Sequence, residues 1–322
     1  MKRIVAALAA VALLGACGAQ TEEAESVTVG MSYVPDVQFF PFYVADHEGF
    51  FDDAGVAVTL RHHGAQEPLF TALTTGEEDV LYAGGDEVMY ARAEGIDVVN
   101  FATLYQEYPV TLIVPEDSDI TSPADLEGRS VGLPGEYGAN WFGLLAMLDE
   151  YELENVDIQS IGFTQMAALS RGDVDAVVGF INNDAVAMES QGFDVRTIDL
   201  APNLPLIGPG LSARGDSFDE FTDAYAAILE GVEKAIDFAA ENPEETIDIV
   251  TTYVPGMSDP EVRAAATLTF NATLPLYQGD GRIGVQDTAR WEAMSEFMSG
   301  TGLISTDVPA DEAMTTSVID AR

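Results

Sequence analysis

Short apolar runs alternate with longer amphipathic segments along most of the chain after residue 26. The run at 27–31 predicts a strand, the segment 41–49 a helix that Gly49 ends, and the run at 56–60 the next strand. This β–α–β alternation predicts an α/β protein whose parallel sheets carry helices on both faces. Further strands are predicted at 79–83, 98–104, 130–133, 157–162 and 175–180, and helices at 67–75, 86–94, 140–151 and 165–171.

The last third of the chain has a different pattern, because strands give way to amphipathic helices from about residue 208. Asp259 before Pro260 is typical of a helix N-terminus. The length of 322 residues fits two domains of ~150 residues each. We therefore expect two α/β lobes and a helical C-terminal third, with helices at 219–241, 243–252, 259–268 and 287–299.

The N-terminal segment has the features of an export signal. Lys2 and Arg3 precede an apolar run at 4–14, which is too short to span the ~30 Å of a bilayer core. The sequence LGAC at 14–17 resembles a bacterial lipobox, in which the cysteine is acylated, and Cys17 is the only cysteine in the chain. We expect residues 1–17 to be a lipoprotein signal ending in lipidated Cys17, and 18–26 to be a tether. The alternative is an ordinary secretory signal.

The charge balance is strongly acidic, since 55 Asp and Glu against 13 Lys and Arg give a formal net charge of −42. Such a surface repels phosphate backbones and anionic lipid head groups, so we expect no nucleic acid partner. Three histidines and one cysteine leave little material for a metal site, and we expect neither metal nor cofactor. His62 and His63 are adjacent on a predicted strand, so they point to opposite faces and cannot hold one ion together.

The loops that follow the first strands carry candidate ligand contacts, because open α/β sheets bind ligands beyond the carboxyl ends of their strands. The loop at 33–43 holds five aromatic residues, whose flat faces can stack on a heteroaromatic ligand or pack the next helix onto the sheet. Asp86 opens a predicted helix, where it either caps the helix or accepts a hydrogen bond from a ligand. The candidates from this half are Tyr33, Gln38, Phe39, Gly85, Asp86, Tyr105 and Gln106.

Two loops of the second half, at 134–141 and 179–184, are equally rich in chemistry. The helix N-terminus in the first loop could hold a carbonyl or an anion, but Glu136 beside it favours a neutral ligand that carries hydrogen-bond donors. The amides at 182–183 can donate and accept, which matches the edge of an imide or an aminopyrimidine. Trp141 either stacks on the ligand or packs in the core. The candidates from this half are Glu136, Tyr137, Trp141, Asn182 and Asn183.

Several stretches together resemble one protein family. They are YVPDVQFFPFYVA at 33–45, EGFF at 48–51, AGV at 54–56, AGGDEV at 83–88, VGLPGEYG at 131–138 and GDVDA at 172–176. In this order and behind a lipobox, they resemble the solute-binding lipoproteins of ABC importers, in the family that includes sulfonate-, thiamine-pyrimidine- and riboflavin-binding members. The segment 35–43 is most similar to the riboflavin-binding branch.

The resemblance implies a two-lobed, periplasmic-binding-protein-like (type II) clamshell with a ligand cleft between the lobes. Residues 27–110 and 210–322 would form the first lobe and 111–209 the second, with hinge crossings near 108–114 and 204–213. The implied ligand is a small heteroaromatic nutrient, with riboflavin first and a thiamine aminopyrimidine precursor second. The implied partners are an ABC permease and its ATPase. We expect a monomer outside the cytoplasm, lipid-anchored to the membrane.

Two other functions stay open from the sequence. A relative of this family is a pyrimidine synthase that uses pyridoxal phosphate, a lysine, a histidine and a cysteine-rich motif. Here the cysteines are missing and Lys234 is the one lysine beyond the signal segment, so we expect a binding protein and not an enzyme. The third function is that of a sensory receptor domain that serves a signalling partner instead of a permease.

Overall fold

The computed structural model describes residues 25–64, 67–201, 204–279 and 282–322. The predicted signal segment, its Cys17 and residues 18–24 of the predicted tether lie outside the described residues. Within them, ten strands form two sheets of five strands each. None of the described helices combines the length and the apolar character needed to cross a membrane.

The first sheet is built from both ends of the described chain. Its strands are β1 (Glu25–Met31), β2 (Val56–His62), β3 (Val80–Gly84), β4 (Val98–Thr103) and β10 (Pro209–Arg214). They lie in the order β2-β1-β3-β10-β4, and β1 runs parallel to β2 and β3. Every residue of β3 is buried, because helices cover both faces of the sheet at its centre.

The second sheet is formed by the middle of the chain. Its strands are β5 (Val110–Pro115), β6 (Ser130–Leu133), β7 (Asp157–Ser160), β8 (Ala176–Phe180) and β9 (Val195–Ile198). They lie in the order β7-β6-β8-β5-β9, and β6 runs parallel to β7 and β8. One face packs into a core that contains Leu112, Val131 and Val178.

The expectation of parallel sheets is met by β1–β3 and by β6–β8 but is wrong for β10, which runs antiparallel to β3 and β4, and for β5, which runs antiparallel to β8 and β9. Both exceptions are strands that the chain enters directly from the other sheet. Pro209 therefore pairs with the last residue of β3, Gly84, and Val110 pairs with the last residue of β8, Phe180. A strand that begins where its neighbour ends is antiparallel to it.

Helices connect the strands and make up the C-terminal third, as the apolar pattern predicts. In the first sheet's lobe they are α1 (Phe40–His47), α2 (Phe50–Asp53), α3 (Thr71–Thr75) and α4 (Gly85–Ala93). In the second they are α5 (Gly138–Glu150), α6 (Gln165–Arg171) and α7 (Val186–Ser190). The C-terminal helices are α8 (Phe218–Glu241), α9 (Pro243–Val250), α10 (Pro260–Tyr277), α11 (Thr288–Gly300), α12 (Ala310–Ala313) and α13 (Ser317–Asp320).

The C-terminal helices complete the core of the first sheet. The ring of Tyr225 on α8 stacks on Phe101 of β4, with centroids 5.0 Å apart and planes 9° apart. A bridge between Asn100 and Met314 ties the end of the chain to the same strand. α10 differs most from its prediction, because it continues past residue 268 to Tyr277 and buries Phe270, Thr273 and Tyr277 on the way.

Candidate functional site

Two crossing segments join the sheets, and the candidate site lies where they meet the strand ends. The first runs from 104 to 109, and the second leads from β9 into β10 and is described again from residue 204. They run side by side, since a β-carbon built on Gly208 would lie 3.5 Å from the side chains of Tyr105 and Pro109. The carboxyl ends of β3 and β8 therefore both lie at the crossing. Ligands of α/β sheets bind at this kind of junction.

Two helix N-termini from different lobes meet through Tyr108 of the first crossing segment. The Tyr108 hydroxyl lies 2.6 Å from Oδ2 of Asp86, on α4, and 3.0 Å from the carbonyl oxygen of Ala139, on α5. A β-carbon built on Gly138 would lie 3.8 Å from Oε1 of Glu87, so the first turns of the two helices are neighbours. The N-cap of α4 is Gly84, and Asp86 lies inside the first turn, where it accepts a hydrogen bond from the Glu87 N–H.

The two carboxylates at the start of α4 are an adjacent acidic pair beside this junction. Burial, and then the charge of Glu87, raise the pKa of Asp86 to about 7. Burial also raises the pKa of Glu87, against the hydrogen bond that its Oε2 accepts from the Gly84 N–H at 3.1 Å. A junction that already contains two such carboxyls disfavours an additional negative charge.

Aromatic side chains form a cluster on the first-lobe side of the crossing. Its members are the three tyrosines Tyr82, Tyr105 and Tyr277, which we call the phenol cluster, and Phe39 packs against it. Tyr82 lies edge-on to Phe39 at 5.8 Å between centroids and to Tyr105 at 6.3 Å, and Tyr105 lies edge-on to Tyr277 at 4.7 Å. The hydroxyls of Tyr82 and Tyr277 are 3.1 Å apart, and that of Tyr277 donates to the Gln38 carbonyl at 3.2 Å. Burial raises the pKa of Tyr82, Tyr105 and Tyr277, so these phenols stay neutral.

Asn182 brings a polar group from the second lobe to the phenol cluster. It lies just after β8, in a π-helical turn formed by Ile181–Ala185, and its side chain is buried beside the hydroxyl of Tyr105. Its Nδ2 donates to Oγ1 of Thr273, on α10, at 2.9 Å. Its Oδ1 is buried and has no hydrogen-bond partner. The structure therefore brings together three residues singled out from the sequence, Phe39, Tyr105 and Asn182.

The remaining sequence candidates differ in burial and in the contacts that they make. Gly85 is buried, and its N–H donates to the Gly208 carbonyl of the second crossing segment at 3.1 Å. Gln106 donates from Nε2 to the Leu104 carbonyl at 3.0 Å. Exposed or half-buried positions are occupied by Tyr33, Gln38, Glu136, Tyr137, Trp141 and Asn183.

Five residues described at the junction are absent from the sequence candidates: Tyr82, Glu87, Tyr108, Thr273 and Tyr277. Tyr82 lies inside a predicted strand, two residues before Gly84. Its closeness to the carboxyl end of that strand was the signal in the sequence that could have marked it as a site residue. Thr273 and Tyr277 lie beyond the predicted end of their helix, and nothing in the local pattern points to a partner 91 residues away.

The histidines and Lys234 take structural positions. His62 and His63 turn to opposite sides, as predicted: His62 contacts the Tyr43 hydroxyl at 3.0 Å, and His63 is buried against Glu78 at 2.8 Å. Lys234 lies on α8 with 44% of its side chain exposed and pairs with Glu230 at 2.9 Å, away from the crossing. Within the described ranges, no group of three or more His, Cys, Asp or Glu side chains could hold a metal ion.

Comparison with known proteins identifies the family. Residues 36–246 match the family described as NMT1/THI5 like. The chain belongs to this family. A riboflavin-binding protein of Chloroflexus aurantiacus, RibY, is 27% identical over 303 residues, covering 92% of this chain and 86% of the relative. A formylaminopyrimidine-binding protein of Halalkalibacterium halodurans is 23% identical over 321 residues, covering 97% of each.

A solved structure confirms the fold. The periplasmic aliphatic sulphonate binding protein SsuA of Escherichia coli superposes with a TM-score of 0.73 at 18% identity, covering 89% of this chain and 96% of that protein. This likeness concerns the fold alone. The predicted α/β, periplasmic-binding-protein-like architecture and the resemblance to this family of solute-binding proteins are both confirmed.

Proposed function

We propose that this protein binds a neutral heteroaromatic nutrient outside the cytoplasm and delivers it to an ABC permease with its ATPase. Riboflavin or a related flavin is the first ligand, and an aminopyrimidine precursor of thiamine is the second. The observation that carries the proposal is the meeting of the phenol cluster, from one lobe, with the side chain of Asn182, from the other, whose amide oxygen is buried without a partner.

The chemistry of the junction matches such a ligand in two respects. Aromatic faces stack on flat rings, at about 0.5–1.5 kcal/mol per pair beyond the area that they bury. The buried amide and the neutral phenols supply directional hydrogen bonds to the edge of a ring. Two relatives of this chain carry names that specify heteroaromatic ligands, riboflavin and formylaminopyrimidine, which supports the same ligand class here.

The electrostatics of the junction favour a neutral ligand over an anion. Asp86 is buried and Glu87 is half-buried beside the crossing, and Glu136 is exposed just before α5. A sulfonate or nitrate placed between these helix N-termini would bring a fixed negative charge into an environment that already disfavours the charge of Asp86 and Glu87, as the raised pKa of each carboxyl indicates. The sulphonate named for SsuA is therefore not carried over with the fold.

Closure of the two lobes on the ligand is the mechanism we propose. We propose lobes with the bounds expected from the sequence, 27–110 with 210–322 and 111–209, except that Val110 belongs to the second lobe and Pro209 to the first, because each begins a strand there. The hinge then lies in the two crossing segments. A ligand that contacts the phenol cluster and Asn182 together binds the closed arrangement better than any open one. It therefore shifts the population toward the closed state by that difference in affinity.

The location of the protein in the cell is inferred from the N-terminal sequence, which lies outside the described residues. We propose that Cys17 is acylated and that residues 18–24 tether a monomeric binding protein to the outer side of the membrane, since the last two residues of the expected tether, 25 and 26, belong to β1. Treatment of whole cells with globomycin, which blocks lipoprotein signal cleavage, should then leave an uncleaved precursor. A Cys17→Ala variant should leave the membrane fraction.

A thermal-shift panel tests the ligand class. Riboflavin, hydroxymethylpyrimidine and an alkanesulfonate are each added to residues 18–322 at neutral pH. A ligand present at 100 times its Kd stabilises the folded state by about 2.7 kcal/mol, which raises the melting temperature measurably. We expect a shift with riboflavin or the pyrimidine and none with the sulfonate. A shift with the sulfonate alone would contradict the proposed ligand class.

A further inference from the structure

The Asn182 side chain is held in one orientation by a helix that belongs to the C-terminal third. The Thr273 hydroxyl donates to the Thr269 carbonyl at 2.7 Å, within α10. Because a hydroxyl has a single hydrogen, Thr273 can only accept from Asn182, whose Nδ2 lies 2.9 Å away. This chain of hydrogen bonds places the amide nitrogen toward α10 and leaves the carbonyl oxygen as the free atom.

That free oxygen is buried and unpartnered, and the side chain that carries it lies next to Tyr105 of the phenol cluster. A buried acceptor without a partner is unfavourable, so a site of this kind gains binding free energy when a ligand supplies the missing donor. An amide oxygen accepts hydrogen bonds and offers none, so the group it selects for carries an N–H or an O–H.

We propose that Thr273 is a positioning residue that fixes Asn182 as a hydrogen-bond acceptor, and that the ligand presents a ring-edge N–H or amino group to it. This inference rests on the proposed function and sharpens it, because it requires a donor at the ring edge and not only a flat ring. The imide N–H of a flavin and the amino group of an aminopyrimidine both meet the requirement, whereas a ring with acceptors alone does not.

The position of α10 explains why the C-terminal third takes part in ligand selection. Asn182 lies in the turn after β8, while Thr273 lies in a helix that packs through Phe270 and Tyr277 into the core of the first sheet. Tyr277 of this helix also belongs to the phenol cluster. α10 therefore contributes one ring of the phenol cluster, that of Tyr277, and also fixes which end of the Asn182 amide is free to accept a hydrogen bond.

The test compares ligands that differ only in the donor. Riboflavin is paired with its N3-methyl derivative, and hydroxymethylpyrimidine with an analogue whose amino group is dimethylated. Each Kd is measured for the wild type, Thr273→Val and Thr273→Ser. Valine keeps the volume of threonine but removes the acceptor for Asn182, whereas serine keeps that acceptor. Melting temperatures show that each variant is folded, and Asn182→Leu removes the amide without any change in α10.

We expect methylation to weaken binding to the wild type and to Thr273→Ser by about tenfold or more. In Thr273→Val and in Asn182→Leu the preference for the unmethylated ligand should fall to about twofold or less, because the amide oxygen is no longer fixed or present. Equal affinities for both members of a pair in the wild type would overturn this inference and leave the proposed function intact. If the folded wild type binds none of the four ligands, both this inference and the proposed function are overturned.

Discussion

The Tyr108 hydroxyl and the Asp86 carboxyl, 2.6 Å apart, connect a crossing segment to the first helix turn at the centre of the junction. The same hydroxyl lies 3.0 Å from the Ala139 carbonyl oxygen. One hydroxyl hydrogen cannot serve both acceptors at full strength. When Asp86 is protonated, its carboxyl donates to Tyr108, and Tyr108 can then donate to Ala139. The pKa of Asp86 is raised by burial and by the charge of Glu87, against the hydrogen bond from Tyr108, which lowers it.

Removal of the Tyr108 hydroxyl should destabilise the folded protein. Tyr108→Phe should lower the free energy of unfolding by about 1–3 kcal/mol, because it leaves a buried carboxyl without its partner. Urea denaturation at neutral pH measures this change. Tyr137→Phe is the matched control, since the ring of Tyr137 is 60% exposed, and it should alter the free energy by less than about 0.5 kcal/mol. Equal midpoints for both variants would contradict the importance of the contact.

Asp86 should also give stability a particular pH dependence. Its pKa of about 7 in the folded protein is above that of the unfolded chain, so the folded state binds more protons between these values. This contribution to stability is full below a pH of about 4 and is lost as the pH rises to about 7. Relative to Asp86→Asn, the wild type should therefore lose at most about 4 kcal/mol over this range and level off above it. The measurement is urea denaturation of both proteins at several pH values. If the difference in unfolding free energy between the wild type and Asp86→Asn stays constant as the pH rises, or grows in favour of the wild type, the Asp86 pKa is not raised.

Two aromatic residues of the first loop should respond differently to truncation. Phe39 is 2% exposed and packs against Tyr82 and His62, so Phe39→Ala should cost about 3–5 kcal/mol of folding free energy. Tyr33 is 41% exposed, so Tyr33→Ala should leave stability nearly unchanged. If Tyr33 stacks on the ligand, the Kd of the Tyr33→Ala variant for that ligand should be about two- to tenfold higher than the Kd of the wild type. Denaturation and ligand titration of each variant separate the two effects. Unchanged affinity in Tyr33→Ala would remove that residue from the site.

Gly85 should tolerate no side chain, because of its place between the crossing and the core. A β-carbon there would lie 2.7 Å from Cγ2 of Ile207 and 3.0 Å from the ring of Trp291. Gly85→Ala should therefore cost about 1–3 kcal/mol in a denaturation experiment. Gly300, the last residue of α11, has open space around it, and Gly300→Ala should be neutral or slightly stabilising. A Gly85→Ala variant as stable as Gly300→Ala would show that Ile207 moves away freely.

The sequence predicted the elements well and the contacts between them only in part. The alternation of apolar runs located the strands around 27–31 and 176–180 because each buries a short, regular stretch. It missed the antiparallel β5 and β10, since strand direction depends on where the chain crosses between sheets. The pair formed by Asn182 and Thr273 was equally hidden, because 91 residues separate the partners. The local pattern of apolar residues predicts which positions are buried, whereas the site depends on which segments, distant in the sequence, pack together.

Fluorescence titration of residues 18–322 with riboflavin tests the central claim most directly, with hydroxymethylpyrimidine as a competitor. We predict saturable quenching of the flavin, or, if the pyrimidine is the ligand, its binding in the thermal-shift panel without flavin quenching. Quenching should weaken in Asn182→Leu and in Tyr105→Ala, which remove the two sides of the junction. A folded protein that binds neither the flavin nor the pyrimidine would contradict the account.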